Sequence, residues 1–238
     1  MPTEAYQPNL RKQMGCAHPG GAALTRLAFE RAGLRPGSVL VDLGCGNGSS
    51  SRLLSSLGLN VVGIDPAIQP GLRDGVMYIA SSAEDLPLPD AFADAVLAEC
   101  SLSLMNLDLV FTQCTRVLKP GGIFIISDLY ARNPPEASED ARLQCAETLS
   151  LFVFKGLQQK LEAAGFHVEH WEDRSRDLAC YTAEHLMNSC TGTSLWGCSS
   201  PIEEESSLLA SLRSLRPGYF LLFAGIKKES VHERYNLQ

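Results

Sequence analysis

Residues 39–48, Val-Leu-Val-Asp-Leu-Gly-Cys-Gly-Asn-Gly, constrain the fold of this chain more than any other stretch. An apolar, β-branched run ends in a carboxylate, and Gly44, Gly46 and Gly48 follow at alternate positions. A strand entering such a loop, with a helix behind it, lets a ligand lie against bare backbone; side chains at the glycines would obstruct that approach. The spacing is Gly-x-Gly-x-Gly, not the Gly-x-Gly-x-x-Gly that sets a pyrophosphate on a helix N-terminus.

Three further segments follow in order. Val61-Val62-Gly63-Ile64-Asp65 reads as a buried strand ending in an acid about twenty residues beyond the glycines, the separation at which a second-strand acid meets ribose hydroxyls in a βαβ nucleotide site. Asp65 also suits a simpler role as a strand-end turn residue before Pro66. Ser81-Ser82-Ala83-Glu84-Asp85-Leu86-Pro87 follows a strand at Val76–Ala80. The fourth is a strand over Ala93–Glu99, a helix ending in Leu118-Lys119, a Pro120-Gly121-Gly122 turn and an apolar strand.

In this order the four segments, spanning about residues 38–128, resemble class I S-adenosylmethionine-dependent methyltransferases of the small-molecule, type 11 kind. The resemblance implies an α/β fold: a three-layer Rossmann-like sandwich with a seven-stranded, mostly parallel sheet of order 3-2-1-4-5-7-6 and helices on both faces. It also implies S-adenosylmethionine as cofactor and S-adenosylhomocysteine as product. Asp42, Gly44, Cys45, Gly46 and Gly48 would form the cofactor loop, Asp65 and Pro66 the ribose contact, and Ser82, Ala83 and Glu84 the adenine side. Glu99 would lie at the methionine end, acting mainly through its backbone carbonyl. Ser82 stands where the family commonly has an aspartate, which turns a charge-assisted contact into a neutral one at a loss of about 1 kcal/mol. The Pro-Gly-Gly turn serves chain geometry.

Composition narrows the partners. A chain of 238 residues with 45% hydrophobic and 20% charged residues suits one globular domain. A net charge of −7 argues against nucleic acid. The absence of an 18-residue apolar run argues against a membrane span. The polar start of the chain, with no apolar signal core, makes the cytoplasm the default location. Eight cysteines without a Cys-x-x-Cys or zinc-finger spacing read as thiols, and no metal site is expected. Monomer and homodimer both remain open.

A single domain, residues 1–238, accommodates these parts: a cap over 1–33, the cofactor half over 38–128, and a helical cover from 134–165 and 173–216. The periodicity predicts helices over 20–33, 47–57 (with Leu53, Leu54 and Leu57 inward), 107–118, 134–165 in two pieces broken near Gly156, and from Pro201 to Arg216. Strands are predicted over 166–171 and 219–226. The cover carries Tyr6, His18, Phe152, Phe154, Tyr181, His185, Met187 and Trp196, residues suited either to shaping an acceptor pocket or to closing the core.

A sulfonium methyl is already activated, so its transfer by in-line displacement needs alignment more than acid–base help, and positioning alone lowers the barrier by ~7–11 kcal/mol. No catalytic residue is therefore legible. His18, Glu99 and Asp128 are the candidate bases, with loop roles as the alternative. Cys16, Cys100, Cys180, Cys190 and Cys198 fall in segments able to converge on a soft acceptor such as a thiol or trivalent arsenic, or else are scattered buried thiols. The intact Asp42, glycine and Asp65 set favours an enzyme acting on a small molecule over a non-catalytic binding or assembly module of the same fold.

Overall fold

The computed structural model of the chain describes residues 18–68, 70–73, 75–136, 140–146, 149–188 and 210–226. One sheet organises them. In chain order its strands are β1 (Val39–Leu43), β2 (Asn60–Ile64), β3 (Gly71–Arg73), β4 (Val76–Ile79), β5 (Ala93–Glu99), β6 (Leu118–Ala131), β7 (Arg142–Ala146), β8 (Leu149–Phe152), β9 (Phe166–Asp173) and β10 (Pro217–Ile226). Their order is β3-β4-β2-β1-β5-β6-β10-β9, with β8 pairing β6 and β7 off that path. From β4 to β6 neighbours are parallel, and β10 is antiparallel to both β6 and β9. Seven of these strands reproduce the expected 3-2-1-4-5-7-6 order; β3 is an added antiparallel edge beside β4.

The central strands are apolar on both faces because both faces are covered. Val96 and Ala98 of β5, Phe124 and Ile126 of β6, and Phe220 and Leu222 of β10 enter one core. It is closed by Val110, Phe111 and Cys114 of α3 (Leu107–Val117) and by Leu157 and Leu161 of α4 (Phe154–Ala163). The alternating residues Ala95, Leu97, Ile125, Tyr219, Leu221 and Phe223 enter the other. There Leu24 and Ala28 of α1 (Gly21–Arg31), Leu54 of α2 (Ser49–Ser56) and Leu178 of α5 (Ser175–Asn188) close it. The Asn106 side chain caps α3 by accepting from the Leu109 N–H at 3.3 Å.

Several sequence expectations need correction. Residues 134–165 are not two helices: β7 and β8 form a hairpin, and among the described residues of this range only Phe154–Ala163 is helical. All four residues of β8 are buried, and a short apolar run lined on both sides carries no period that separates strand from helix. Gly156 is no break either. It lies within α4, where a Cβ would stand 2.6 Å from the Asp140 carbonyl oxygen, so glycine lets the chain before β7 cross the helix closely. In α2 the buried positions are Ser51 and Leu54, while Leu53 and Leu57 are half-buried. The Pro-Gly-Gly stretch lies inside β6, absorbed where its register against β5 shifts between Ala93 and Ala95. Of the helix expected over 201–216, residues 210–215 are helical and 201–209 lie outside the described residues.

Candidate active site

The parallel strands present their carboxyl ends along one edge, where open α/β sheets bind ligands. At the end of β1 the chain turns through Gly44, Gly46 and Gly48, all in the left-handed region at φ 68°, 55° and 75°. The Gly44 and Cys45 N–H groups donate to the Ile64 carbonyl at the end of β2, at 2.8 and 3.1 Å. The glycines differ in what they make room for. A Cβ on Gly44 would lie 2.5 Å from Ser101 Cβ, and one on Gly48 2.1 Å from Tyr78 Oη, so those two admit protein neighbours. A Cβ on Gly46 meets nothing nearer than 4.0 Å, so Gly46 alone faces open space.

Three carboxylates gather round this loop. Asp65, buried at the end of β2, accepts from the Gly46 N–H at 3.0 Å and from the Ala67 N–H at 2.9 Å. Asp42, in β1, accepts from the Ser51 hydroxyl at 2.5 Å. Its carboxyl is pushed up to about 7, chiefly by burial and further by the negative charges of Glu99 and Asp65, with the Ser51 hydrogen bond opposing. Glu99, the last residue of β5, accepts from Thr25 Oγ1 at 3.0 and 3.2 Å and from Ser50 Oγ at 2.6 Å. His18 Nε2 lies 3.3 Å from the same carboxylate, and both side chains are only 5% exposed. His18 is thus a buried residue, not a solvent-facing loop histidine, and Glu99 links the segment ahead of α1, α1 itself and the first turn of α2. Among the described residues, His18 is the one basic side chain within ion-pair distance of the three carboxylates. The cluster suits a ligand carrying positive charge.

The loop after β4 supplies another wall. Ser82 Oγ donates to the Glu84 carboxylate, which also accepts from the Asn106 N–H at 2.9 Å, tying the loop to the start of α3. Burial acts to raise the Glu84 carboxyl, but these hydrogen bonds and one from its own N–H outweigh it and hold it below the usual range. Ala83 is buried, and its N–H has no acceptor among the described residues. Pro66 is exposed beside Asp65.

Other candidates sit elsewhere. Asp128 accepts from the Ser103 N–H at 3.0 Å and the Leu129 N–H at 2.8 Å, anchoring the 3-10 turn Leu102–Leu104. Burial, with the nearby Asp42 and Asp65 charges, pushes the Cys45 thiol up, and burial alone does so for Cys114, so both remain thiols. Cys100 lies at the mouth of β5 with φ 50°, its Sγ 3.5 Å from Tyr219 Oη; Cys180 is exposed on α5. Cys16, Cys190 and Cys198, like Tyr6 and Trp196 and the side chains of His185 and Met187, lie outside the described residues. Phe152 is fully buried in the sheet core and Phe154 packs on it, so both close the core. Among the described residues no three His, Cys, Asp or Glu side chains could hold a metal ion, and no helix is long and apolar enough to cross a membrane.

Sequence reasoning missed the hydroxyls. Thr25, Ser50, Ser51 and Ser101 hold Glu99, Asp42 and the Leu43 carbonyl (Ser101 Oγ at 2.7 Å). One signal was present. Three serines in succession open α2, where serine is a poor helix former unless its side chain is used.

Comparison with known proteins agrees with this geometry. Residues 41–126 match the profile of a methyltransferase domain. An uncharacterized methyltransferase of Synechocystis sp. is 31% identical over 156 residues, 60% of this chain and 73% of that protein. A sterol 24-C-methyltransferase (ERG6B) of Gibberella zeae is 30% identical over 162 residues, and there the match spans 59% of this chain but 42% of the relative. Among solved structures, the cyclase SpnF superposes with a TM-score of 0.67 at 26% identity, covering 90% of this chain and 85% of its own.

Proposed function

The chain belongs to the S-adenosylmethionine-dependent methyltransferase family, and we propose that it moves a methyl group from that cofactor to a small-molecule acceptor by in-line displacement. The observation that carries this reading is the convergence of Asp42, Asp65 and Glu99 on a glycine loop whose middle member, Gly46, opens to solvent space. The fit is one of shape and of charge. S-adenosylmethionine carries a sulfonium and an ammonium, and the carboxylates face it with one imidazole among them. When bound, the cofactor supplies a methyl group already activated by positive sulfur.

The protein's part is then to hold and align. Each Asp65 oxygen already accepts one backbone N–H and keeps a lone pair for a ribose hydroxyl. The free Ala83 N–H is a donor for the adenine ring, and Ser82 and Glu84 shape that wall. Glu99, held by Thr25, Ser50 and His18, faces the methionine end, and the buried His18 side chain helps to exclude water there. The methyl is already activated, so alignment is the main contribution, and when the acceptor loses its proton is set by the acceptor atom. A second reading keeps the cofactor site but not methyl transfer, since the same architecture carries a cyclase.

The test is to incubate the purified chain with isotopically labelled S-adenosylmethionine and a fractionated metabolite extract, following mass. A labelled methylated product formed with stoichiometric S-adenosylhomocysteine supports methyl transfer. Cofactor binding without any labelled product across the fractions would favour the second reading.

A further inference from the structure

A cavity of about 630 Å³ opens away from the glycine loop, between α5, residues 210–215 and the junction of β6 with β10. Its charged members are Arg132 and Arg176, its hydroxyls Ser175 and Thr182, and the rest of its lining is aliphatic, with Leu178 and Leu212 the largest. Among the described residues no carboxylate lines it. In a chain of net charge −7, a cavity whose charges are two guanidiniums has the sign of a built anion site, not of the average surface. Among the described residues neither arginine has an ion pair; Arg132 Nε donates to the Arg216 carbonyl at 3.1 Å, which orients its fork. Asp173, which Arg132 only slightly stabilises as a carboxylate, has its Oδ1 bound by the Ser175 N–H at 2.7 Å and by the Ser175 hydroxyl.

We propose that this cavity seats the anionic end of an elongated amphipathic acceptor, a carboxylate or phosphate on an apolar body. Guanidiniums match both anions in bidentate geometry, and 630 Å³ lies within the usual range for small-molecule sites. Its position follows from register. Pro217 opposes Ala131 at the carboxyl end of β6, so the cavity shares the sheet edge with Glu99 at the end of β5. From β5 to β10 is two strand positions, roughly 10 Å, and Pro217 lies four residues along β10 from Leu221, which shares the register of Glu99 through Ser127, roughly 13 Å, so the span is on the order of 16 Å. An acceptor anchored by its anion at Arg132 and Arg176 reaches Glu99, where the functional reading puts the methyl donor, with a body of that length. The assignment as acceptor site rests on that reading; the ligand class rests on the cavity alone.

The experiment titrates the full chain calorimetrically with decanoate, decyl phosphate and neutral decanol, with and without S-adenosylhomocysteine. The expected result is saturable binding of at least one anionic probe about tenfold or more tighter than decanol. Arg132→Gln combined with Arg176→Gln should remove that advantage while leaving S-adenosylhomocysteine affinity unchanged, which also shows that the variant folds. Equal affinity for decanol and the anions, no anion binding, or an advantage that survives the double substitution would overturn the inference. Failure of S-adenosylhomocysteine itself to bind counts against the functional reading, while the anion arms still decide the cavity.

Discussion

Gly46 and Gly48 stand two residues apart in one motif, yet substitution should break different things. Alanine at Gly48 would put its Cβ 2.1 Å from the Oη of buried Tyr78, at φ 75°. Overpacking and backbone strain together should cost about 2–4 kcal/mol of stability. Alanine at Gly46 meets only the strain of φ 55°, ~1–2 kcal/mol, but its methyl stands in the open space offered to the cofactor. Denaturant unfolding and S-adenosylhomocysteine titration of both variants should show Gly48→Ala losing mainly stability and Gly46→Ala losing mainly affinity. Equal losses in both readouts would remove the distinction between packing and ligand glycines. Asp42 makes a pH prediction. Its folded carboxyl titrates near 7 and its unfolded one near 4, so the native state holds a proton that the unfolded chain releases. That contribution is complete below about pH 4 and is lost as pH rises through 7, with a ceiling of roughly 4 kcal/mol. The stability difference between wild type and Asp42→Asn should therefore shift in the variant's favour from pH 4 to 7; a constant difference would contradict the assignment. Asp42, Asp65 and the glycines were legible because the motif and its spacing mark them. Thr25, Ser50 and Ser51 were not, since a hydroxyl on a helix has no pattern until the carboxylate it meets is known.

At the scale of elements, legibility followed periodicity. The strands β1, β2, β5 and β10 were readable as apolar runs bounded by turn residues, and α1 and α3 by their stripes and stops. The β7–β8 hairpin was not, because Leu149–Phe152 is buried throughout and the choice between strand and helix lies in its partner. Gly156 distinguishes the two descriptions by sign. In a helix packed only along one stripe, Gly→Ala would stabilise by up to about 1 kcal/mol. With the Asp140 carbonyl 2.6 Å from the added Cβ, Gly156→Ala should instead destabilise by about 1–3 kcal/mol, measured by denaturant unfolding. A stabilised variant would argue against the close crossing.

The whole molecule is a sheet whose two apolar faces were predictable and whose edge chemistry was partly so. Strand order came with the family resemblance that the four segments carry, and β4-β2-β1-β5-β6-β10-β9 reproduces it. What covers the carboxyl edge was not legible, because acceptor recognition has no motif and is built from side chains far apart in the chain, such as Arg132 and Arg176. The central claim is that this edge binds S-adenosylmethionine with Asp65 on the ribose. Calorimetric titration of the full chain and of Asp65→Ala tests it most directly. Removing a carboxylate that accepts two hydroxyls should cost about 2–3 kcal/mol, a loss of roughly 30- to 150-fold in affinity, with the fold retained. Saturable one-to-one binding by wild type and that loss in the variant is the predicted result; no binding at millimolar cofactor, or unchanged affinity in Asp65→Ala, would contradict the account.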